Sequence, residues 1–414
     1  MISTAASHRI LAAVASTLLA TVAIVGPSTS SGAQQPTPPD PYVQELPADG
    51  PSMVGASTGI PIFFGQAGDV APGTAGTPIQ IEDEDDFTAL VPSPGSALAA
   101  GVDQFYEQGG GTAYVVATAG DDAASLALAI GSAQARVPGA ELAVVPALGS
   151  LAGTDYLTVA RATAQLAVAS TGTALLDPPT SMVAEAAQDP ATVVTELIGL
   201  ATQLRTTVAD PSRVVLYSSG LQDQGSGTPV SAAAAMAGVI DATDLSDGVW
   251  VAPAGLSQQL RGVVPTFAPT NPQIGQLNPN GVNSFLTLSG YGTVAWGART
   301  LATQAPQMYV SAQRTLSYIQ RTVTAGLQPF VFAANNPTTW SQVTADVSGF
   351  LTTLWSSGGL IGAAASQAFD VEVGVPTSMT GQDVLDGLLV VDIQVALTEP
   401  DGMTPLTLTQ RMGS

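Results

Sequence analysis

Residues 278–301 read NPNGVNSFLTLSGYGTVAWGARTL and combine a turn with two strand-like segments. The opening Asn-Pro-Asn-Gly is turn chemistry, because proline fixes φ and the asparagine and glycine after it tolerate positive φ. Leu286 and Leu288 then alternate with polar residues, and Thr293–Trp296 is a short apolar run of the kind found in buried strands. Gly297 ends that run. The stretch therefore predicts a turn, an alternating segment and a buried strand.

Arg299 follows the predicted buried strand and is one of only ten cations in the chain. A guanidinium beside so apolar a run is costly to bury unless it is hydrogen-bonded and paired. On this stretch alone, the default interpretation is a core strand whose arginine extends its charged end to solvent. With the next helix included, we expect Arg299 and Arg314 each to bond backbone carbonyls or an acid of the C-terminal region, holding strand to helix.

The composition favours a folded protein and excludes several kinds of site. The chain has 414 residues, 45% apolar and only 10% charged, which suits one to three globular domains. All ten cations are arginines, and a net charge of −22 argues against direct binding to nucleic acid or an anionic membrane. Cysteine is absent, and the single histidine, His8, lies near the N-terminus. The folded body therefore has no histidine for a triad or a metal site, and we predict no catalytic residue, metal or cofactor.

The first 34 residues have the layout of a secretory signal peptide. Arg9 precedes sixteen apolar or small residues, Ile10–Val25, and a plausible cleavage site follows at Ala33. The run is slightly short and alanine-rich for a membrane span. Export, a misassigned start and an unusual N-terminal extension are the open interpretations. Residues 35–52 begin with a proline-rich spacer that we expect to be extended.

Short strand-like pieces stand near both ends of the chain. Tyr42–Leu46 is isolated between proline-rich segments, and Leu406 and Leu408 alternate with polar residues beyond the Glu-Pro-Asp-Gly breaker at 399–402. A short strand on a flexible arm cannot satisfy its own backbone and must pair with an edge. Both pieces are therefore candidates for pairing with another subunit.

Residues 53–250 alternate between strand and helix patterns. Val54–Ile60 alternates by position and predicts a half-buried strand, and the acidic run 82–86 predicts a solvated loop rather than a calcium site. Helices are predicted at 102–107, 121–135, 155–169, 192–208 and 231–239, and strands at 113–116, 142–145, 174–176 and 213–217. Such alternation predicts an α/β layer with a partly parallel sheet. The triple glycine 109–111 precedes a strand, whereas a phosphate loop follows a strand and opens a helix.

The last hundred residues predict two helices and three strands. Apolar residues at three- and four-residue spacing across 309–323 predict a helix with one buried face, and Arg314 and Arg321 share its other face. Asn336 and the proline after it predict the start of a second helix, which carries Trp340 in its apolar stripe. Alternating strands are predicted at 369–373, 389–397 and 406–408.

Several of these segments, in order and spacing, resemble the C-terminal half of contractile tail sheath proteins. The segments are GVNSFLTLSGYGTVAWGARTL, YVSAQRTLSYIQRTV, VFAANNPTTWSQVTADVSGFLTTLWSSGGLIG and AFDVEVG. The family pattern is a GVN turn, a WGART strand end, a paired-arginine helix, a VFEPN–W helix start and an AF-V strand. The residues of this chain that match it are Gly281, Asn283, Trp296, Gly297, Arg299, Arg314, Asn336 and Trp340.

The N-terminal part resembles the same family in two further places. Tyr42, Val43 and Glu45 match an arm of the type PGVYVEE, and QFYEQGGGTAYVV resembles an FF-NGG-AYVV segment. Two positions depart from the pattern: Gln313 stands where the first arginine of the pair is usual, and Ala333 where the glutamate of VFEPN is usual. An ion pair typical of the family is therefore in doubt, and Arg314 would need another partner.

The resemblance implies a mixed α/β fold and a mechanical function. The implied fold is a sheath-type core built from the N-terminal strand and the C-terminal half, with the α/β layer at about 100–250 and arms that exchange strands between subunits. The implied partners are further copies in a helical polymer, an inner tube protein, and baseplate and terminator proteins. The expected division is a signal-like or unusual extension at 1–34, a linker arm at 35–52, an N-terminal and middle region at 53–250, a sheath domain at 251–400 and a C-terminal arm at 401–414.

Two other functions compete with a contractile sheath assembled in the cytoplasm or on a virion tail. The signal-like start and acidic composition suit an exported surface or adhesive protein, which cleavage after Ala33 would favour. The α/β layer suits an enzyme, but no histidine or cysteine is available near a nucleophile. Whether the particle is a phage or an injection system is left open by the sequence.

Overall fold

A nine-stranded sheet dominates the computed structural model, which describes residues 53–67, 76–90, 95–133, 137, 139–184, 189–398 and 402–413. The expected extension at 1–34 and linker arm at 35–52, with Tyr42, Val43 and Glu45, lie outside the described residues. The strands before residue 300 are β1 (Pro61–Gln66), β2 (Ile79–Ile81), β3 (Ala113–Thr118), β4 (Leu142–Val144), β5 (Thr173–Leu176), β6 (Val214–Tyr217), β7 (Leu221–Asp223), β8 (Pro229–Val230), β9 (Gln259–Leu260), β10 (Val263–Pro265), β11 (Val282–Leu288) and β12 (Gly292–Trp296).

The large sheet has a parallel centre and antiparallel edges. Its strand order is β2-β3-β1-β4-β5-β6-β11-β12-β9, and the run from β3 to β11 is parallel. Strands β2, β12 and β9 pair antiparallel at the two edges. In the same described part, β10, β7 and β8 form a small antiparallel sheet. The predicted α/β layer is confirmed.

Helices cover both faces of this sheet. Those before residue 300 are α1 (Glu84–Leu90), α2 (Ala97–Glu107), α3 (Ala123–Ala133), α4 (Gly153–Ala169), α5 (Thr180–Ala184), α6 (Pro190–Thr207), α7 (Ala232–Ser246) and α8 (Asn271–Leu277). One apolar core joins one sheet face to α3, α4 and α6, and a second joins the other face to α2 and α7. Because its parallel strands are buried on both faces, they read as continuous apolar runs such as LAV and VVLY.

Two predictions in the N-terminal region are wrong. Val54–Ile60 forms no strand, and Val54 is 84% exposed. The strand is β1, immediately downstream, whose first five residues are all buried because it pairs in parallel on both sides. The acidic run 82–86 is exposed, as expected, but it opens α1 rather than a loop, since acids in a first turn are favoured by the helix dipole.

The stretch 278–301 forms the turn and strands that its sequence predicts. Residues 278–280 make a single 3₁₀ turn, and Gly281 follows at φ +79°. A Cβ atom at that glycine would lie 2.7 Å from the backbone oxygen of Thr300, so both conformation and space require glycine. Strands β11 and β12 form an antiparallel hairpin, and β11 extends the parallel sheet beside β6. The hairpin therefore belongs to the large sheet, although the expected boundary at 250 assigned it to the C-terminal domain.

The C-terminal region has its own core and sheet. Its elements are α9 (Val310–Gly326), α10 (Pro337–Ser356), α11 (Ala365–Ala368), β13 (Phe369–Val373), α12 (Gly381–Leu385), β14 (Leu388–Ala396) and β15 (Met403–Arg411). Helices α9 and α10 pack on one face of the antiparallel sheet β13-β14-β15. Strand β15 pairs with β14 along its whole length, so Leu406 and Leu408 lie in this chain's own sheet. No helix in the part that the structure describes is long and apolar enough to cross a membrane.

Candidate functional site

Helix α9 is buried on two faces. Ile319 and Val323 lie in the C-terminal core, as the predicted apolar spacing requires. The opposite face faces the large sheet and buries Gln313, Arg314 and Ser317. Arg314 is among the largest fully buried side chains in the structure. The helix therefore joins the C-terminal core to the large sheet through polar contacts, where the sequence pattern predicts only one buried face.

Arg314 forms two bidentate ion pairs. Its Nε and Nη2 donate to the two carboxylate oxygens of Glu141 at 2.8 Å each, and its Nη1 and Nη2 donate to those of Asp244 at 2.8 and 2.6 Å. The side chains of all three residues are only 1% exposed. Glu141 immediately precedes β4, and Asp244 lies in the last turns of α7. Three elements far apart in the chain are thereby joined.

The acids of this cluster differ in their pKa values because their donors differ. Burial opposes ionisation of Glu141, but Arg314, Arg321 and the backbone N–H of Gly59 together hold the pKa of Glu141 below its usual value. Burial raises the pKa of Asp244, and its bonds to Arg314 only partly offset that cost. The pKa of Arg314 is raised because both carboxylates favour its charged form over the cost of burial. Of the two carboxylates, Glu141 is therefore the one whose charged form its surroundings favour, and Asp244 the one whose charged form they disfavour.

The segment Met53–Gly59, which we call the arm root, follows the predicted linker arm and runs along α9. Met53 packs in the C-terminal core against Gly326. The N–H of Ala56 donates to the hydroxyl of Thr322 at 3.0 Å. Gly55 lies so close to the Tyr318 hydroxyl that a Cβ would overlap it. These contacts hold a segment that pairs with no strand among the described residues.

The far end of the arm root contacts the ion cluster itself. Arg321 donates to the backbone oxygen of Ser57 at 2.7 Å, and its guanidinium lies 3.9 Å from Glu141. The N–H of Gly59 donates to Glu141 at 2.8 Å. Gly59 has φ +75° and packs directly on Asp241, whose pKa is raised to about 6 mainly by burial. Glu141 therefore anchors both Arg314 and the arm root.

Asn283 joins the two halves of the predicted GVN–WGART motif. Its Oδ1 accepts the backbone N–H of Arg299 at 2.7 Å, and its Nδ2 donates to the backbone oxygens of Arg299 and Leu216 at 2.8 and 3.1 Å. Gly297 has φ +123°, and a Cβ there would lie 2.5 Å from Asn278 Nδ2 and 3.1 Å from Asn283 Oδ1, so conformation and space both favour glycine. Trp296 is partly exposed at the end of β12. The motif thus fixes how the hairpin continues towards α9.

The expectation for the two central arginines is wrong in both cases. The Arg299 guanidinium stacks 5.4 Å from the Tyr309 ring centre and 3.9 Å from the Met308 sulfur, and among the described residues it has no acidic partner. Its backbone, not its charge, holds the strand end. Arg314 does pair with acids, but Glu141 lies outside the C-terminal region because the polar face of α9 points at the large sheet. The partners of Arg314 are thus Glu141 and Asp244.

The remaining predicted residues have local roles. Asn336 caps α10, accepting from the N–H groups of Thr338 and Thr339 at 3.1 Å each. The indole of Trp340 donates to Asn335 at 2.7 Å. Gln313, one of the two departures from the family pattern, is buried, and its Oε1 has no partner in the described part of the chain.

The C-terminal sheet ends in two edges. In the described residues, β13 and β15 each pair only with β14, so each has one unpaired side. Pro405 on β15 removes one backbone donor from that strand. Asp370 and Glu372 are exposed on β13. The β13 edge is five residues long and the β15 edge nine, and either can accept a further strand.

A cavity of about 780 Å³ lies at the carboxyl ends of β4, β5 and β6. Asp177, which follows β5, lines it and is buried. Its carboxylate accepts from the Ser231 hydroxyl at 2.5 Å and the Ala233 N–H at 2.9 Å, so it caps α7. Burial raises the pKa of Asp177 to about 6 against these hydrogen bonds. Among the residues that the structure describes, no cluster of acids or histidine could hold a metal ion.

Comparison with known proteins matches the C-terminal region to a protein family model and the whole fold to solved structures. Residues 305–412 match the family model of the phage tail sheath C-terminal domain. The helical sheath of the anti-feeding prophage in its contracted state is 26% identical, with a TM-score of 0.69 over 90% of this chain and 99% of that chain. The contracted PVC sheath of an extracellular contractile injection system is 25% identical, with a TM-score of 0.67 over 91% and 99% of the two chains.

A more distant solved structure supports the fold alone. The sheath tail protein of Desulfitobacterium hafniense is 13% identical, with a TM-score of 0.60 over 88% of this chain and 98% of that chain. No curated protein sequence matches the chain.

The ion cluster predicts that Arg314 is costly to remove. Arg314→Met should lower the free energy of unfolding by about 3–5 kcal/mol, because Glu141 and Asp244 would remain buried without their cation. Denaturant unfolding followed by circular dichroism measures this. Arg299→Ala is the matched control and should cost about 1 kcal/mol or less, since it loses only a partly exposed ring contact.

The same measurement separates charge from packing. Adding Glu141→Gln and Asp244→Asn to Arg314→Met should recover part of the lost stability, because no unpaired charge is left buried. Equal destabilisation by Arg314→Met and Arg299→Ala would contradict the assignment.

The raised pKa of Asp177 predicts how the free energy of unfolding depends on pH. Its folded pKa of about 6 lies above the ordinary value of 3.8, so the folded state binds this proton first and is stabilised as the pH falls through that window. Asp177→Asn removes the free-energy cost of ionising this buried carboxyl in the folded state. The stability of the variant relative to the parent should therefore be greater by about 1–2 kcal/mol at about pH 7.5 than at about pH 5.

Asp122 provides the contrasting control. Asp122 caps α3, and hydrogen bonds from Ser125 lower its pKa below 3.8. Its contribution to the stability of the folded state is therefore lost only as the pH falls below that value. The stability of Asp122→Asn relative to the parent should therefore be constant across the same pH range. A constant difference for Asp177→Asn as well would show that its carboxyl titrates normally.

Proposed function

We propose that this chain, a member of the contractile tail sheath family, polymerises helically around an inner tube and contracts to drive that tube through a target envelope. The observation that carries the proposal is the alignment of nine-tenths of the chain with contracted sheath subunits at 25–26% identity. The chain is accordingly a structural subunit of a sheath, and a tail component, as its sequence resemblance predicts.

The free edges of the C-terminal sheet support strand exchange between subunits. A segment such as Tyr42–Leu46 gains a full set of backbone hydrogen bonds by adding to an edge of β13 or β15 in a neighbour. Head-to-tail additions of this kind generate an open helix when the rotation between neighbours does not close a ring. Leu406 and Leu408 pair within their own chain here, so in this proposal the C-terminal arm 401–414 links subunits by presenting an edge or by exchanging β15.

The arm root explains how a linked lattice could transmit force. Residues 35–52 lead directly into Met53–Gly59, which α9 and the ion cluster hold at several points. Tension on the arm would act along these bonds, and they would share it before β1 is reached. Subunits can therefore rotate and slide as rigid bodies while the arms keep them connected.

The proposal requires no nucleotide or other cofactor. The triple glycine 109–111 lies between α2 and β3, which is not the strand-to-helix context of a phosphate loop. The energy of contraction would be stored in the extended lattice during assembly. Baseplate and terminator proteins are the further partners we expect, with assembly in the cytoplasm and the product on a virion tail or injection particle.

Truncation of the linker arm tests the polymer. Deleting residues 35–50 should leave a folded subunit with normal circular dichroism but abolish cylinders in negative-stain micrographs, because neighbours lose their strand link. Deletion of residues 1–34 is the control, since it leaves the arm in place and should allow assembly. Cylinders of normal length from the 35–50 deletion would refute the exchange.

Sheath–tube contact should depend on salt. Segment 341–414 has eight acids and one arginine, a net charge of −7, so a tube that contacts this region should present Lys or Arg. Raising the salt concentration should weaken co-sedimentation of sheath with tube, because exposed charge contacts are screened. The sheath lattice, held by backbone pairing, should change less. A flat salt response, or a tube with an acidic outer surface, would show that charge does not direct this contact.

A further inference from the structure

An apolar surface lies at one end of the C-terminal sheet, opposite the β14–β15 connection. Phe332, between α9 and α10, is 90% exposed, and Leu385, at the end of α12, is 82% exposed. A cleft of about 680 Å³ lies beside them, and Leu385 and Arg411 line it. We call Phe332, Leu385, Arg411 and this cleft the tip surface. Single exposed apolar side chains are common on protein surfaces, but two large ones beside one cleft form the kind of apolar patch that marks an interaction site.

The walls of the cleft are held in place by hydrogen bonds between separate segments. The N–H of Met412 donates to the Gly387 oxygen at 2.7 Å, and Asn335 donates to the Leu388 oxygen at 2.9 Å. Gly413 bonds the backbone of Val331 and packs against the Phe332 ring. The tip surface is therefore preformed, and a partner that binds it need not order it first.

Charge identifies the kind of partner. Arg411 is the single cation of segment 341–414, and in the described part of the chain it forms no salt bridge. Asp386 lines the same cleft and likewise forms no salt bridge among the described residues, so the cleft presents one charge of each sign. Arg411 favours a partner that offers a carboxylate together with apolar contact. This chain has 32 acids against 10 arginines, so another copy is such a partner. The basic tube surface expected above would instead be repelled by Arg411.

The position of the tip surface at the end of β15 also favours another copy of this chain as the partner. Arg411 is the last residue of β15, so the tip surface is continuous with the free edge of that strand. A neighbouring subunit that contacts this edge would reach Phe332 and Leu385 at its end.

We propose that the tip surface is a contact between copies of this chain, in which a neighbour covers Phe332 and Leu385 and places a carboxylate on Arg411. This inference rests on the proposed function, because it assigns one of the contacts within the polymer. The contact supplements strand pairing with side-chain recognition, which backbone hydrogen bonds alone cannot provide.

Serine substitutions in the full chain test the proposal. Phe332→Ser and Leu385→Ser should leave circular dichroism and thermal melting unchanged, because both side chains are exposed. Each should raise the critical concentration for polymer formation by about tenfold, measured by sedimentation and negative-stain microscopy. Arg411→Gln should raise it as well and make it less sensitive to salt.

Two matched controls exist in the same chain. Leu128 on α3 and Leu245 on α7 are each 77% exposed and lie outside the C-terminal region. Leu128→Ser and Leu245→Ser should change the critical concentration less than twofold, since any general effect of surface hydrophobicity would be common to all four leucine and phenylalanine sites.

The outcomes separate the inference from the function it rests on. If the parent polymerises and Phe332→Ser does so at the same concentration, the tip surface is not a subunit contact. Normal polymerisation of Phe332→Ser with loss of tube binding would also overturn the proposal, because it would assign the surface to the tube. Failure of the parent to polymerise, with or without tube, would overturn the proposed function and this inference together.

Discussion

The structure depends on one guanidinium held out of water between two carboxylates. Burying Arg314, Glu141 and Asp244 together is expensive, and such a cluster often contributes little net stability compared with apolar residues of the same size. Its effect is on position. Each partner is bidentate, so a small rotation or slide of α9 would break at least one bond and leave a charge buried without its counterpart. The cost of that intermediate state fixes α9 against the large sheet.

Helix α9 connects the separate parts of the subunit. One face of α9 belongs to the C-terminal core through Ile319 and Val323, and the other belongs to the ion cluster. The arm root Met53–Gly59 crosses the same helix and bonds the same glutamate. Two cores and the segment Met53–Gly59 are therefore joined along a single element.

The sequence predicts the parts of this arrangement whose signals are local. The strands and helices between 100 and 250 are right because parallel strands buried on both faces are short apolar runs and the helices between them are periodic. The turn at Gly281 and the cap at Asn336 follow from the chemistry of single residues. The alternation across the arm root predicts a strand that does not form, because alternation records side-chain position, whereas strand formation also needs a backbone partner.

The cluster itself could not be predicted in this way, since Glu141 and Arg314 are 173 residues apart. The sequence carries one signal for it: Glu141 stands directly against the apolar run of β4, as Arg299 stands beside the apolar run of β12. An isolated charge beside a buried strand indicates that a partner exists but not which one. Arg299 shows the limit of that rule, because its backbone rather than its guanidinium makes the structural bonds.

A contractile polymer needs interactions of two different kinds, and this chain separates them in space. Contacts that must survive contraction lie inside the subunit, where desolvated ion pairs and two packed cores make partial opening costly. In the proposed polymer, the contacts that rearrange would be those at sheet edges and exposed side chains, where solvent can replace a lost partner at small cost. An edge strand can be re-paired residue by residue, whereas a buried bidentate arginine cannot be exchanged without exposing its charges. This difference in cost would allow such a lattice to change while each subunit stays folded.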